Sequence, residues 1–300
     1  MGELQINLFG QLTIKRDFKV TGSELSTRAQ ELLVYLLLFQ NQSHTREVLA
    51  ELLWPNNSSA KSLKYLRHTL WQLQDSLGHN ILDLNGPWVA IKPGLNILLD
   101  VTVFNEIVSE LSKVPEMDFD DGCAVLAEEA LSLYKGVLFD GCFQDWCVVE
   151  RERYQHLILH LLDKLMAYCE ECGLYEMGLK YGAKALQLDM AHERIHRRLM
   201  RLHYQAGNRA ASIRQFHLCT AFLKKALEAQ PSDRTIDLYN RMCNCGNIST
   251  SEEDPAIPMN TGKPFRVMDV LHSFHSTLCN MQLELEEVID SLSHTSPHDS

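Results

Sequence analysis

Between residues 60 and 77 cationic, aromatic and amide side chains recur on one side of a leucine stripe. Leu63, Leu66, Leu70, Leu73 and Leu77 fall within about 80° of one another at 100° per residue, so a helix here turns them to a core. The opposite face then carries Lys61, Lys64, Tyr65, His68 and Gln72, flanked by Arg67 and Trp71. Ammonium and guanidinium ends suit phosphate oxygens, while Arg67, His68 and Gln72 hold donors for base edges in a major groove. The same residues would also serve as the solvated face of an amphipathic helix, and the face alone does not separate the two readings. Arg46, at the start of the preceding helix, is a second phosphate candidate. Lys92 is placed to reach a minor-groove backbone, and Trp88 beside it reads as hairpin packing. Asp75 repels phosphate, so the expected footprint is small, about three to five phosphates neutralised.

Two further constellations carry metal or redox chemistry on paper. His192-Glu193-Arg194-Ile195-His196 has the H-E-x-x-H spacing of zinc hydrolases, two imidazoles one turn apart beside a general base. It falls in a repeat helix with no third ligand at a plausible position, so the spacing reads as coincidence. Cys169-Glu170-Glu171-Cys172 sets two thiols on one side of a helix, and Cys243-Asn244-Cys245 sets two more close together. Either pair would suit zinc or redox sensing, yet cysteines in helical packing also behave as small apolar residues. His156 and His160, one turn apart, read as a wet helix face. Nothing matches G-x-x-x-x-G-K-[ST], and no catalytic residue, metal or cofactor is expected.

These groups must be positioned by a folded scaffold. The 300 residues are 45% hydrophobic and 22% charged, which excludes global disorder and suits two domains with an appendage. No run approaches the ~18–20 apolar residues of a membrane span. The opening Met1-Gly2-Glu3-Leu4-Gln5 has no secretion leader, and nine cysteines point to a reducing compartment, so a cytoplasmic, nucleoid-associated protein is expected. The formal net charge of −11 is uneven. Residues 1–100 balance 9 Lys+Arg against 9 Asp+Glu, whereas residues 248–300 carry 2 against 9. The first third is therefore neutral, which permits DNA binding through a local patch without demanding it.

Leu4, Ile6 and Leu8 alternate as a strand, Leu12-Thr13-Ile14 follows as a second, and Phe18-Lys19-Val20 suggests a third. A helix from Ser26 or Thr27 to about Gln40 is apolar nearly all round and should be central. Short helices are expected over 46–53 and 60–77, closed by Trp54-Pro55 and Gly78. Two apolar runs around Asn85-Gly86 then predict a hairpin. Strands, three helices and a hairpin make an α+β winged helix-turn-helix over residues 1–98, a design that puts its last helix in a major groove. From Asp100 the chain reads as all-α, with helices near 102–113, 121–134, 145–171, 175–188, 191–206, 209–229 and 233–243. Gly173-Leu174-Tyr175 and Gly207-Asn208-Arg209 open similar segments 34 residues apart, the period of tetratricopeptide helix pairs. Residues 99–245 are thus expected to be a tetratricopeptide-like domain and 246–266 a linker. In 267–293 Leu271, Leu278, Leu285 and Leu292 alternate with Val267, Phe274, Met281 and Val288 as a heptad seam. The seam would either pair with a second copy or fold back over the repeat groove; self-association through residues 267–292 is the favoured reading.

The residues also resemble a family. Leu8-Phe9-Gly10-Gln11-Leu12, Arg28-Ala29-Gln30-Glu31-Leu32-Leu33 and Leu49-Ala50-Glu51-Leu52-Leu53-Trp54-Pro55 are similar to segments of bacterial regulators of the antibiotic-regulatory (SARP) type. So are Ser62-Leu63-Lys64-Tyr65-Leu66-Arg67, Asp100-Val101 before Phe104, Leu133-Tyr134-Lys135-Gly136, and Trp146 ahead of Glu150-Arg151. Glu193 with His196-Arg197-Arg198-Leu199-Met200-Arg201-Leu202-His203 completes the set. The resemblance covers about residues 4–243. It implies an OmpR-like winged helix joined to a bacterial transcriptional activation domain. The partners it implies are double-stranded promoter DNA, bound as adjacent copies on repeats, and RNA polymerase. Where such regulators carry several arginines late in the recognition helix, this chain has Trp71-Gln72-Leu73-Gln74-Asp75. That departure leaves open an adaptor that binds protein alone.

Overall fold

A computed structural model describes residues 3–16, 19–22 and 24–244. The linker and heptad seam expected over 246–266 and 267–293 lie outside the described residues. Strands β1 (Leu4–Asn7), β2 (Thr13–Arg16) and β3 (Lys19–Val20) form an antiparallel meander, in which Leu4 and Ile6 of β1 and Ile14 of β2 face the core. Helix α1 (Thr27–Leu38) follows, its first turn capped by the Ser26 hydroxyl, which accepts from the Ala29 N–H at 3.4 Å. Leu32, Leu33, Val34, Leu36 and Leu37 are all buried, as an apolar-all-round helix requires. Strand β4 (His44–Thr45) leads into α2 (Arg46–Leu53), capped by Thr45, and α3 (Ser59–Leu77) packs on both earlier helices. Next come β5 (Leu82–Asp83), β6 (Trp88–Ile91) and β7 (Ile97–Leu99).

The sheets depart from the sequence reading in three places. Strand β7 runs parallel to β1, giving the order β3-β2-β1-β7, and β4 joins β6 and β5 in a second sheet. Neither β4 nor β7 exceeds three residues, so neither has an alternation to read. The hairpin is not a two-residue Asn-Gly turn. Its last rung is Asp83 with Ala90, and the reversal spans Asn85 to Trp88 with Gly86 at φ +61°. Pro87 has no N–H to donate to the β5 ladder, and the outer end of β6 pairs with β4 instead.

Seven α-helices and one short 3-10 helix (Glu116–Asp118) complete the described chain: α4 (Asp100–Ser112), α5 (Asp121–Leu133), α6 (Asp145–Cys172), α7 (Tyr175–Leu188), α8 (Glu193–Gln205), α9 (Arg209–Leu227) and α10 (Asp233–Asn244). Successive helices from α6 to α9 pack as neighbours. Gly173 and Gly207 turn the chain ahead of α7 and α9 with φ of +72° and +76°, a conformation that favours glycine. Where α7 crosses α6 and α8, a Cβ on Gly182 would stand 2.8 Å from Leu199 Cγ and 2.9 Å from Met166 Cε, so only glycine permits that approach.

The β-containing and helical parts belong to one compact unit, Met1–Cys243. Their joint is built on Asp100, whose buried carboxylate accepts from the N–H groups of Leu8 (2.8 and 2.9 Å), Phe9 (2.9 Å) and Val101 (2.8 Å). The chain beyond β1 then pairs with residues 137–140, and the Phe9 ring meets Phe104, Tyr134 and Tyr154 edge-on at 5.2–5.3 Å. Tyr35 of α1 adds an edge-on contact with Trp146 at 5.3 Å.

Candidate nucleic-acid interface

Helix α3 is held to the body by Leu66, Leu70, Leu73 and Leu77, with Ser62 and Thr69 buried beside them. Leu63 is only half-buried, a correction to the leucine stripe. The buried line is rotated toward Ser62 and Thr69, whose hydroxyls are satisfied by the carbonyls of Trp54 (3.2 Å) and Tyr65 (3.0 Å). Lys61, Lys64, Tyr65, Arg67, His68 and Trp71 are all exposed on the opposite side. Among the described residues no carboxylate pairs with Lys64 or Arg67. Lys61 rests over the Tyr65 ring at 5.7 Å, and His68 stacks on Trp71 with centroids 5.9 Å apart at 18°. The face can therefore present unneutralised cations beside a flat aromatic surface.

Gln72 departs from expectation. Its amide donates to the Glu24 carbonyl at 3.2 Å, and its side-chain oxygen accepts from the Ser26 hydroxyl at 2.7 Å. It tethers α3 to the start of α1 and does not offer its donors outward. Arg46 is half-buried, and its Nε donates to the Gly86 carbonyl at 3.1 Å, so it ties the start of α2 to the ribbon turn. Lys92 is exposed at the end of β6. Trp88 is 48% exposed, which corrects its reading as hairpin packing: it lines an open recess with Ser43, Asp83, Asn85 and Ala90. The structure thus gathers Lys61, Lys64, Arg67, His68 and Trp71 on one face, while Arg46 lies at the ribbon turn and Gln72 faces inward.

In the helical part, His196 and Glu193 of the H-E-x-x-H spacing are both engaged elsewhere. His196 is fully buried, with Nε2 donating to the Met190 carbonyl (2.9 Å) and Nδ1 accepting from the Gln215 amide (2.7 Å). Glu193 accepts from the N–H and hydroxyl of Ser232 and from Thr235 at the start of α10. His192 stands at the residue before α8, and its side chain makes no capping bond there. Burial pushes the Cys169 thiol up to about 12, so it stays protonated at neutral pH. With this geometry in place, residues 99–242 match a family described as the bacterial transcriptional activator domain. That match spans the helical part and just under half of the chain. The resemblance to SARP-type transcriptional regulators is thereby borne out. A solved structure of Mycobacterium tuberculosis EmbR in complex with a low affinity phosphopeptide has a similar fold, with TM-score 0.67 and 15% identity over 82% of this chain. The likeness covers 66% of that chain, so this chain spans just under two thirds of its length. No curated protein matches this sequence.

The helical part contains a buried ionic cluster that local sequence patterns did not signal. Arg198 of α8 pairs with Asp163 and Glu116 and reaches Glu170 at 3.5 Å, while Arg201 binds Glu170 at 2.6 Å. Lys164, also buried, closes the end of α4 by donating to the Leu111 (2.6 Å) and Val114 (2.7 Å) carbonyls. His196 gives the helical part a pH dependence. Burial holds its imidazole below the usual histidine range, so the folded chain keeps it neutral at a pH where the unfolded chain protonates it. Its contribution is complete above about pH 6.5 and is lost as the pH falls below that toward the folded-state value. Thermal melts at pH 7.5 and 5.5 should show a lower Tm at the acid pH. His196→Gln should shrink that difference.

Proposed function

We propose that the chain is a sequence-specific DNA-binding regulator of transcription. Residues 1–98 act as a winged helix-turn-helix, with α2 and α3 as the helix-turn-helix, α3 as the helix that enters the major groove and the β5–β6 ribbon as the wing. Residues 99–245 act as a tetratricopeptide-like activation domain that contacts RNA polymerase. The observation that carries this reading is the outward face of α3, where Lys64 and Arg67 are exposed and unpaired among the described residues. Lys61, Lys64, Arg67 and Lys92 supply phosphate contacts, and Arg46, its Nε held by the Gly86 carbonyl at the ribbon turn, would add one through its Nη donors. His68 and Trp71 face the bases. The Asp100 joint supports the same reading, because it fixes the activation domain to the chain just after β1 and would transmit position on DNA to the polymerase contact. Self-association through the heptad pattern of 267–292 would add avidity on repeated sites.

The alternative is a protein-binding adaptor, favoured by the exposed Asp75 and by the neutral charge of the first 100 residues. Salt titration of binding to genomic fragments separates the two. The regulator reading expects sequence-dependent binding with log Kobs falling against log salt at a slope of about −3 to −5. The adaptor reading expects no sequence-dependent binding at any salt.

A further inference from the structure

Helix α3 sends four side chains within about 30° of the direction opposite its buried line: Lys64, His68, Trp71 and Asp75. Trp71 is 55% exposed, and its one ring contact among the described residues is the stacked His68. A large indole with no place in the core, covered on one face by an imidazole, presents its remaining face and edge outward. The side chains around it narrow what it meets. Asp75, one turn on, is exposed with no cation paired to it among the described residues, which disfavours phosphate at that end of the helix. Lys64 lies seven residues earlier, about 10 Å along the axis, where a phosphate is welcome. Gln72, the amide that would read adenine, is tied back to Ser26 and Glu24. What remains at Trp71 is an apolar surface over base edges. In the major groove the one apolar group among the four bases is the thymine 5-methyl.

We propose that Trp71, backed by His68, packs against a thymine 5-methyl group and makes the chain selective for thymine at that position. The inference rests on the reading of α3 as the helix in the major groove. Trp71 thereby becomes a specificity-determining residue, and its indole replaces hydrogen-bonded readout with burial of a methyl group.

The test uses the full chain and a duplex carrying a site selected from genomic fragments. Each thymine is replaced in turn by uracil, which removes only the methyl. At one position per bound site, uracil is expected to weaken binding about three- to fivefold, the worth of one buried methyl. Trp71→Ala is expected to bind the thymine and uracil duplexes alike, and Trp71→Phe to keep the difference. Binding that ignores uracil at every position overturns the inference and leaves the DNA-binding reading intact, as does a uracil effect that survives Trp71→Ala. Failure to bind any duplex overturns both. The scan on the unmodified chain decides even where a variant folds poorly.

Discussion

Replacing Asp100 by alanine is expected to cost about 3–5 kcal/mol of stability, more than any surface change in the molecule. The carboxylate is 7% exposed and accepts from three backbone N–H groups, two of them more than ninety residues away in sequence. Alanine leaves those amides buried without partners, each worth about 1–3 kcal/mol, less whatever water and backbone relaxation recover. Part of the loss is offset because the carboxylate itself no longer has to be desolvated. Burial holds this carboxyl above the usual range, and the Phe9, Leu8 and Val101 amides offset only part of that rise. Urea unfolding of Asp100→Ala beside the parent chain measures the loss, and a change below 1 kcal/mol would show that the joint is held by the Phe9 ring cluster alone.

Arg198→Ala should be nearly as damaging, at about 3 kcal/mol. Its side chain is 8% exposed and bridges Asp163 and Glu170 of α6 to Glu116, which lies between α4 and α5. Removing it strands buried carboxylates, although Asp163 keeps Arg194 at 2.7 Å and Glu170 keeps Arg201, which places the loss at the low end for a broken buried pair. Arg198→Lys should restore little, because a single ammonium cannot replace the planar fork. Arg194→Ala is the contrast. That side chain is 55% exposed, and its loss should cost under about 1 kcal/mol. Equal losses for the two arginines in urea unfolding would contradict this account of the cluster.

Much of the architecture was legible because it is local. The Leu32–Leu38 run fixed α1, the Ser26 and Thr45 caps fell where their side chains accept amides, and Gly173 and Gly207 marked the repeated turn. What escaped depends on partners distant in sequence. Asp100 stood at the edge of an expected helix with nothing local to show that Leu8 and Phe9 would donate to it. The Ser26 hydroxyl was foreseen as a cap, but its second bond, to Gln72, removed a residue from the candidate site. On α3 the periodicity gave the buried side to within one position. Packing against Trp54 and α1 then chose Ser62 and Thr69 over Leu63. The cationic face was legible for the same reason the helix was, since burying one stripe exposes the other.

The most direct test of that face is the affinity of Lys64→Ala with Arg67→Ala for a selected genomic site, measured by fluorescence anisotropy across a salt series. Both side chains are exposed and unpaired among the described residues, so the melting temperature should be unchanged. Loss of two phosphate or base-edge contacts should weaken binding about 10- to 100-fold, and the salt slope should become shallower by up to about 2. A double variant that binds the site as tightly as the parent chain, with the same slope, would contradict the placement of α3 against DNA.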